Sequence, residues 1–254
     1  MASLPVPVTL NCSGGIALGA YMAGVFSELV KASLRCRADG RAEVLRIDSI
    51  TGASAGAMTG LIAARYLLQD PERSLAELDD DRVTDAAPRN GFLRAWVRLA
   101  DIRALTDYRT EEQSLQATAW GTIPPRPRLA LLSSGSIAAI ADQVGGAWGL
   151  DDLAGMRQAL QRRSLALLMT VTNLQGVLRV SDSGPRSVSH AETRRFLFHR
   201  AMPDLTADDL DALNRRWTKA KDSARASGAF PLAFPPPLER QQSPQHQPGS
   251  QSPQ

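Results

Sequence analysis

Cysteine and histidine are scarce in this 254-residue chain, and charge of either sign is nearly balanced. The two cysteines, Cys12 and Cys36, cannot make a disulfide framework and show no metal-ligand spacing. No metal and no cofactor are expected. Lysine and arginine exceed aspartate and glutamate by a formal charge of only +3, with no basic tract. Nucleic-acid binding therefore has no electrostatic support. No apolar run reaches the ~18 residues of a membrane-crossing helix. The start, Met1-Ala2-Ser3-Leu4-Pro5, has neither a charged region nor a long apolar stretch, so no signal peptide is expected. What remains is ordinary: 43% hydrophobic and 22% charged residues suit a globular α/β domain with a sizeable core. A cytoplasmic protein that meets membranes peripherally is the expectation.

Against that background one pentapeptide stands out, Gly52-Ala53-Ser54-Ala55-Gly56. It lies between a predicted strand at 44–50 and an apolar helix predicted from Ala55 to Leu68. A serine on a tight strand-to-helix turn is pushed out above the sheet, and flanking glycines remove Cβ atoms that would clash there. The helix N-terminus adds free N–H groups and partial positive charge suited to a developing oxyanion. Ser54 is thus a candidate nucleophile for acyl transfer. The bland alternative is a structural turn built from small residues.

A second Gly-rich turn follows the first predicted strand, residues 6–12, and opens a helix at 19–34: Asn11-Cys12-Ser13-Gly14-Gly15-Ile16-Ala17-Leu18-Gly19. Such turns collect backbone N–H groups around an anion. The glycine spacing fits a dinucleotide loop poorly, and no Gly-Lys-Ser/Thr follows for a phosphate loop. A nucleotide-binding Rossmann-like module stays as a weaker reading. An oxyanion hole needs only converging N–H groups and suits a neighbouring serine elbow.

The two motifs together resemble the patatin-like phospholipase family, with Gly15 and Ser54 at the separation that family shows. Ala224-Arg225-Ala226-Ser227-Gly228-Ala229-Phe230-Pro231, running on to Phe234-Pro235-Pro236, is similar to the family's A-S-x-A-x-P…F-P-P segment. The turn is similar to that of a bacterial patatin-related subgroup. The resemblance implies a three-layer α/β/α sandwich with a mostly parallel sheet over residues 1–238, followed by a disordered Gln/Ser/Pro-rich tail, 239–254. It implies lipid ester hydrolysis, with Ser54 as nucleophile and Gly14, Gly15, Ile16 and Ala55 forming the oxyanion hole. Gly52 and Gly56 are the elbow glycines. The oligomeric state is left open.

Two departures from the family follow. Ile16 and Leu18 stand where it places a third glycine and a basic residue, so a neutral ester is as good a substrate as a phospholipid. The family's Ser–Asp dyad takes its aspartate from an Asp-Gly-Gly or Asp-Gly-Ala motif after F-P-P, and none follows Pro237. The domain is therefore expected to be incomplete at its C-terminal end, or to keep the fold without turnover and bind a lipid or protein partner instead. Asp39-Gly40 precedes the serine. Asp182 is the best internal substitute, and His190 and His199 are the candidates for a Ser-His-Asp arrangement.

Elsewhere, Asp70-Pro71 should stop the helix that begins at Ala55. Phe92, Leu93, Trp96 and Val97 fall on one face of a predicted helix at 91–100, either buried or acting as a lid on a lipid surface. A Pro-rich turn is read at 120–128, and a helix start at 131–136. Residues 164–174 read as the strongest strand, with 176–182 pairing to it and a further short strand at 195–200. Thr206 and Asp209 make a capping box for a helix carrying Leu210, Leu213, Trp217, Ala220 and Ala224.

Overall fold

The structure is a computed structural model, and it describes residues 5–15, 18–39, 45–82, 88–101, 103, 135–179, 187–199 and 206–228. Ile16, the turn at 120–128, the stretch 131–134, Asp182 and everything from Ala229 onward lie outside them.

The first strand, β1 (Val6–Cys12), leads through the Gly-rich turn to α1 (Gly19–Ala38), then β2 (Leu45–Ala53) and α2 (Ala55–Leu68). The long strand β3 (Leu165–Arg179) follows later and is succeeded by β4 (Ser187–Phe198). The sheet has four strands in the order β1-β2-β3-β4. The first two pairings are parallel and the last is antiparallel. Parallel crossovers are right-handed, so strands added in one direction put α1 and α2 on the same face. That face carries the buried Leu10, Ile47, Ile50, Leu165, Leu167 and Met169. The mixed α/β class with a mostly parallel sheet agrees with the expected α/β/α fold.

β1 and α2 coincide with their predicted bounds, whereas α1 and β2 run longer. Asp70 does more than stop α2: its carboxylate accepts from the Arg73 N–H at 2.9 Å and caps α3 (Pro71–Leu78). Proline at the first helical position loses no hydrogen bond, so one Asp-Pro pair ends one helix and starts the next. The segment predicted as one helix at 91–100 is a short turn, α4 (Gly91–Leu93), widening into a π-helical turn over Arg94–Leu99. The wider turn breaks the 3.6-residue period. Phe92 and Ala95 are buried and Trp96 is half-buried, but Val97 is 45% exposed, which corrects the predicted face.

Of the residues predicted as separate strands, 176–179 lie within β3 and 195–198 within β4, while 180–182 and Arg200 lie outside the described residues. Gly176 sits inside β3 at φ 72, where the register with β4 shifts between Thr172 and Val177. Glycine there marks an irregularity within a strand, not its end.

Three further α-helices are α5 (Gly135–Val144), α6 (Asp152–Arg162) and α7 (Leu210–Gly228), the last entered through a 3-10 turn at Ala207–Asp209. Ahead of α7, the Asp209 carboxylate accepts from the Thr206 N–H at 3.1 Å, as the capping box predicts, but the Thr206 hydroxyl donates to that carboxylate at 3.0 Å and the Asp209 N–H donates to the Thr206 carbonyl at 3.2 Å, so only half of the box is formed. Trp217 of α7 anchors an aromatic cluster, with Trp148 at 5.1 Å and Phe198 at 6.2 Å between ring centroids. Its indole N–H donates to the Gly145 carbonyl at 3.0 Å, so this fully buried ring has no unmet polar group. None of the described helices is long and apolar enough to cross a membrane.

Candidate active site

The last register pair of β1 and β2 is Cys12↔Gly52. Both Gly-containing turns therefore leave the sheet at the same level, from adjacent parallel strands. This is where open α/β sheets carry their sites, at the carboxyl ends of the strands. Two side-chain bonds tie the strands just before they diverge. Thr51 donates its hydroxyl to Asn11 Oδ1 at 2.6 Å, and the Thr9 and Ser49 hydroxyls lie 2.6 Å apart.

Ser54 has φ 53 and ψ −121 and is the one non-glycine residue with positive φ among the described residues. Such a backbone costs on the order of 1–3 kcal/mol and persists only where its surroundings enforce it. The enforcement is steric. A Cβ on Gly52 would come within 2.5 Å of the Gly56–Ala57 peptide, and one on Gly56 within 2.6 Å of the Cys12 carbonyl oxygen. The two elbow glycines let α2 begin directly against β1 and β2.

The serine is also the N-cap residue of α2, a position where serine usually spends its hydroxyl on the first turn. Here the side chain makes no capping bond. The Ser54 carbonyl accepts from Ala57 and Met58 instead, at 3.0 and 3.2 Å. Ser54 is half-buried, and its hydroxyl is not spent on capping the helix.

The first turn of α2 holds no acidic residue, so the partial positive charge at its N-terminus is not neutralised there. The N–H groups of Ala55 and Gly56 have no intrahelical partners by geometry. Gly14 faces the same point from β1: a Cβ there would stand 3.0 Å from Ser54 Cβ and 3.4 Å from the Ala53 carbonyl oxygen. The structure thus brings together Ser54, Ala55, Gly52, Gly56 and Gly14, with Gly15 next in the turn at φ 155. Ile16 lies outside the described residues.

Other candidates separate from this point. Burial pushes the Cys12 thiol pKa up, so it stays protonated and fills space beside Gly56. Asp39 ends α1, the opposite end from the Gly-rich turn. His190 and His199 lie at the two ends of the β4 region, with β3 between that strand and β2. A ring nitrogen of His190 is bonded to the Asn173 carbonyl at 2.9 Å. Among the described residues, no carboxylate or histidine bonds the Ser54 hydroxyl, and no group of three or more His, Cys, Asp or Glu could hold a metal ion.

The side chain of Trp96 lies over Gly19 at the start of α1, so the segment read as either a buried helix or a lid packs beside the Gly-rich turn. One contact escaped the sequence reading. Ser227, near the end of α7, accepts the Ser54 backbone N–H at 2.7 Å. Its only sequence signal was its place in the A-S-x-A-x-P-like segment.

No curated protein and no solved structure matches the chain. The sequence does match the family model described as Patatin-like phospholipase, over residues 10–243. That span includes the Gly-rich turn, the elbow and Ser227, and the chain belongs to the patatin-like phospholipase family.

Proposed function

We propose that this chain is a lipid acyl hydrolase in which Ser54 is the nucleophile. The observation that carries the reading is the Ser54 hydroxyl, uncapped on a strained turn and set against Gly14. In the proposed reaction Ser54 Oγ attacks the ester carbonyl carbon as its proton passes to a base. The carbonyl oxygen becomes an oxyanion held by the N–H of Ala55 and those of the Gly14–Gly15–Ile16 turn. Collapse breaks the ester C–O bond, and the alcohol leaves with a proton. Water then attacks the acyl-serine, releasing the fatty acid and restoring the hydroxyl.

Leu18, Tyr21 and Val25 stand exposed beside the turn, at 48%, 73% and 41%, and their apolar surface supports peripheral contact with a lipid layer. With Leu18 in place of a basic residue, neutral glycerolipid esters are as well suited as phospholipids. A cytoplasmic setting fits this reading.

A second reading is favoured by one observation: among the described residues no carboxylate or histidine bonds the Ser54 hydroxyl. A serine without its base retains only a small residual rate. In that reading the chain binds lipid without turning it over. Fatty-acid release from mixed micelles of diacylglycerol or phosphatidylcholine decides between them. Release that is lost in Ser54→Ala supports hydrolysis. Lipid binding without release, equal in wild type and variant, supports the second reading.

A further inference from the structure

We infer that Ser227 is a positioning residue that fixes the nucleophile elbow by holding the Ser54 backbone N–H. The inference rests on the reading of Ser54 as the nucleophile. The Ser54 N–H, like any half-buried backbone donor, needs an acceptor. The sheet does not reach it, because the last β2 residue paired with β3 is Ala53, opposite Thr170. The helix does not reach it either, because the first turn of α2 bonds to the Ser54 carbonyl, not to its N–H. The positive-φ residue thus falls in the gap between two hydrogen-bonding systems. Ser227 Oγ fills the gap at 2.7 Å, from a residue 173 positions away.

The acceptor is delivered by a firmly held element. α7 buries Leu213, Trp217, Ala220, Ser223 and Ala224, each at 3% exposure or less. At its end, a Cβ on Gly228 would lie 3.6 Å from Met58 Sδ of α2, so the last turn of α7 abuts the first turn of α2. The bond also leaves the reacting groups unspent: it uses neither the Ser54 hydroxyl nor the Ala55 N–H. Ser227 touches no reacting atom. It acts through the backbone of Ser54, opposing relaxation of the strained turn that would swing Oγ away from the oxyanion donors. Misplacement of a reacting group by about 1 Å can cost on the order of 100-fold in rate.

Two measurements on the full chain test this. The first is hydrogen exchange at the Ser54 amide. Ser227→Ala should speed it about tenfold or more, while Ser227→Thr, which keeps the hydroxyl, should leave it near wild type. The second is covalent labelling by a fluorophosphonate, followed as rate against probe concentration. The maximal rate per folded molecule should fall about tenfold or more in Ser227→Ala, with half-saturation unchanged, and should recover in Ser227→Thr. A merely structural serine would lower thermal stability without moving the maximal rate. Should Ser227→Ala not fold, Ser227→Cys, similar in size with a weaker acceptor, is read for the same two quantities. Unchanged exchange, or an unchanged maximal rate, overturns the inference. A wild type that never labels while exchange still responds refutes the nucleophile reading, upholds the bond and overturns its catalytic purpose.

Discussion

At the carboxyl ends of β1 and β2 the backbone is so crowded that a single added methyl group meets peptide atoms at 2.5 to 2.6 Å. At the far end of the β3–β4 pair an added methyl group meets side chains instead of backbone, as at Gly176, where it would run into Val188 Cγ1. β2 pairs with β3 only as far as Ala53↔Thr170, whereas β3 and β4 stay paired to Arg179↔Ser187. That stretch is a two-stranded ribbon in which Leu178 and Val188, opposite one another, are 56% and 58% exposed. Backbone crowding dictates residue identity at the first place; in the ribbon Gly176, at φ 72, is constrained, but the exposed Leu178 and Val188 are nearly free. The candidate chemistry sits where the backbone has no slack, since a strained serine needs rigid surroundings. The ribbon carries His190, and its ring bonds to the ribbon's own backbone.

Substitutions should widen or collapse this contrast. The largest effect is expected from Gly56→Ala, whose Cβ would stand 2.6 Å from the Cys12 carbonyl oxygen. Chemical denaturation should show a loss of about 2–3 kcal/mol, and serine labelling should disappear. Gly14→Ala is milder, because the nearest atom is Ser54 Cβ at 3.0 Å. It should slow labelling about tenfold, through displacement of Ser54, with a stability change under about 1 kcal/mol. On the ribbon, Leu178→Ser, Val188→Thr and His190→Ala should each change stability by no more than about 0.5 kcal/mol and leave the labelling rate unchanged. A histidine that did slow labelling would break the contrast.

An effect away from both places concerns acid stability at the end of α3. Asp80 accepts from the Arg82 guanidinium at 2.7 and 2.9 Å and from the Arg89 N–H at 2.9 Å. These bonds, with the Arg82 side chain first, hold its carboxyl pKa well below the usual carboxylate range. A depressed pKa adds stability that is present above the unfolded value of about 3.9 and lost as pH falls below it. Asp80→Asn should therefore be less stable than wild type at neutral pH and should lose less on acidification from about pH 4 downward. Melting temperatures across that range check the sign.

Legibility in the sequence followed the same contrast. β1 and α2 could be read because breakers bound them: Pro5 and the Gly-rich turn on either side of β1, the elbow and Asp70-Pro71 on either side of α2. The elbow glycines were legible because no other residue fits, and their position next to Ser54 carried the site. α1 ran on to Ala38 because Arg35 and Arg37 supply favourable charge to its last turn. β2 ran on through Ala53 because the elbow's first residues still pair with β3. The division of β3 and β4 was misread because Gly176 looks like a strand end and is an irregularity inside one. The turn at Arg94–Leu99 was misread because a π-helical turn has no 3.6-residue period to detect. The Ser54–Ser227 bond is a tertiary contact that no local pattern encodes.

The central claim is that Ser54 is a poised nucleophile. Its most direct test is the mass of the intact chain after incubation with a fluorophosphonate, with the adduct mapped by peptide fragmentation. The account predicts a single adduct, on Ser54, absent from Ser54→Ala. An unmodified wild type, or an adduct of equal extent in the variant, would contradict it.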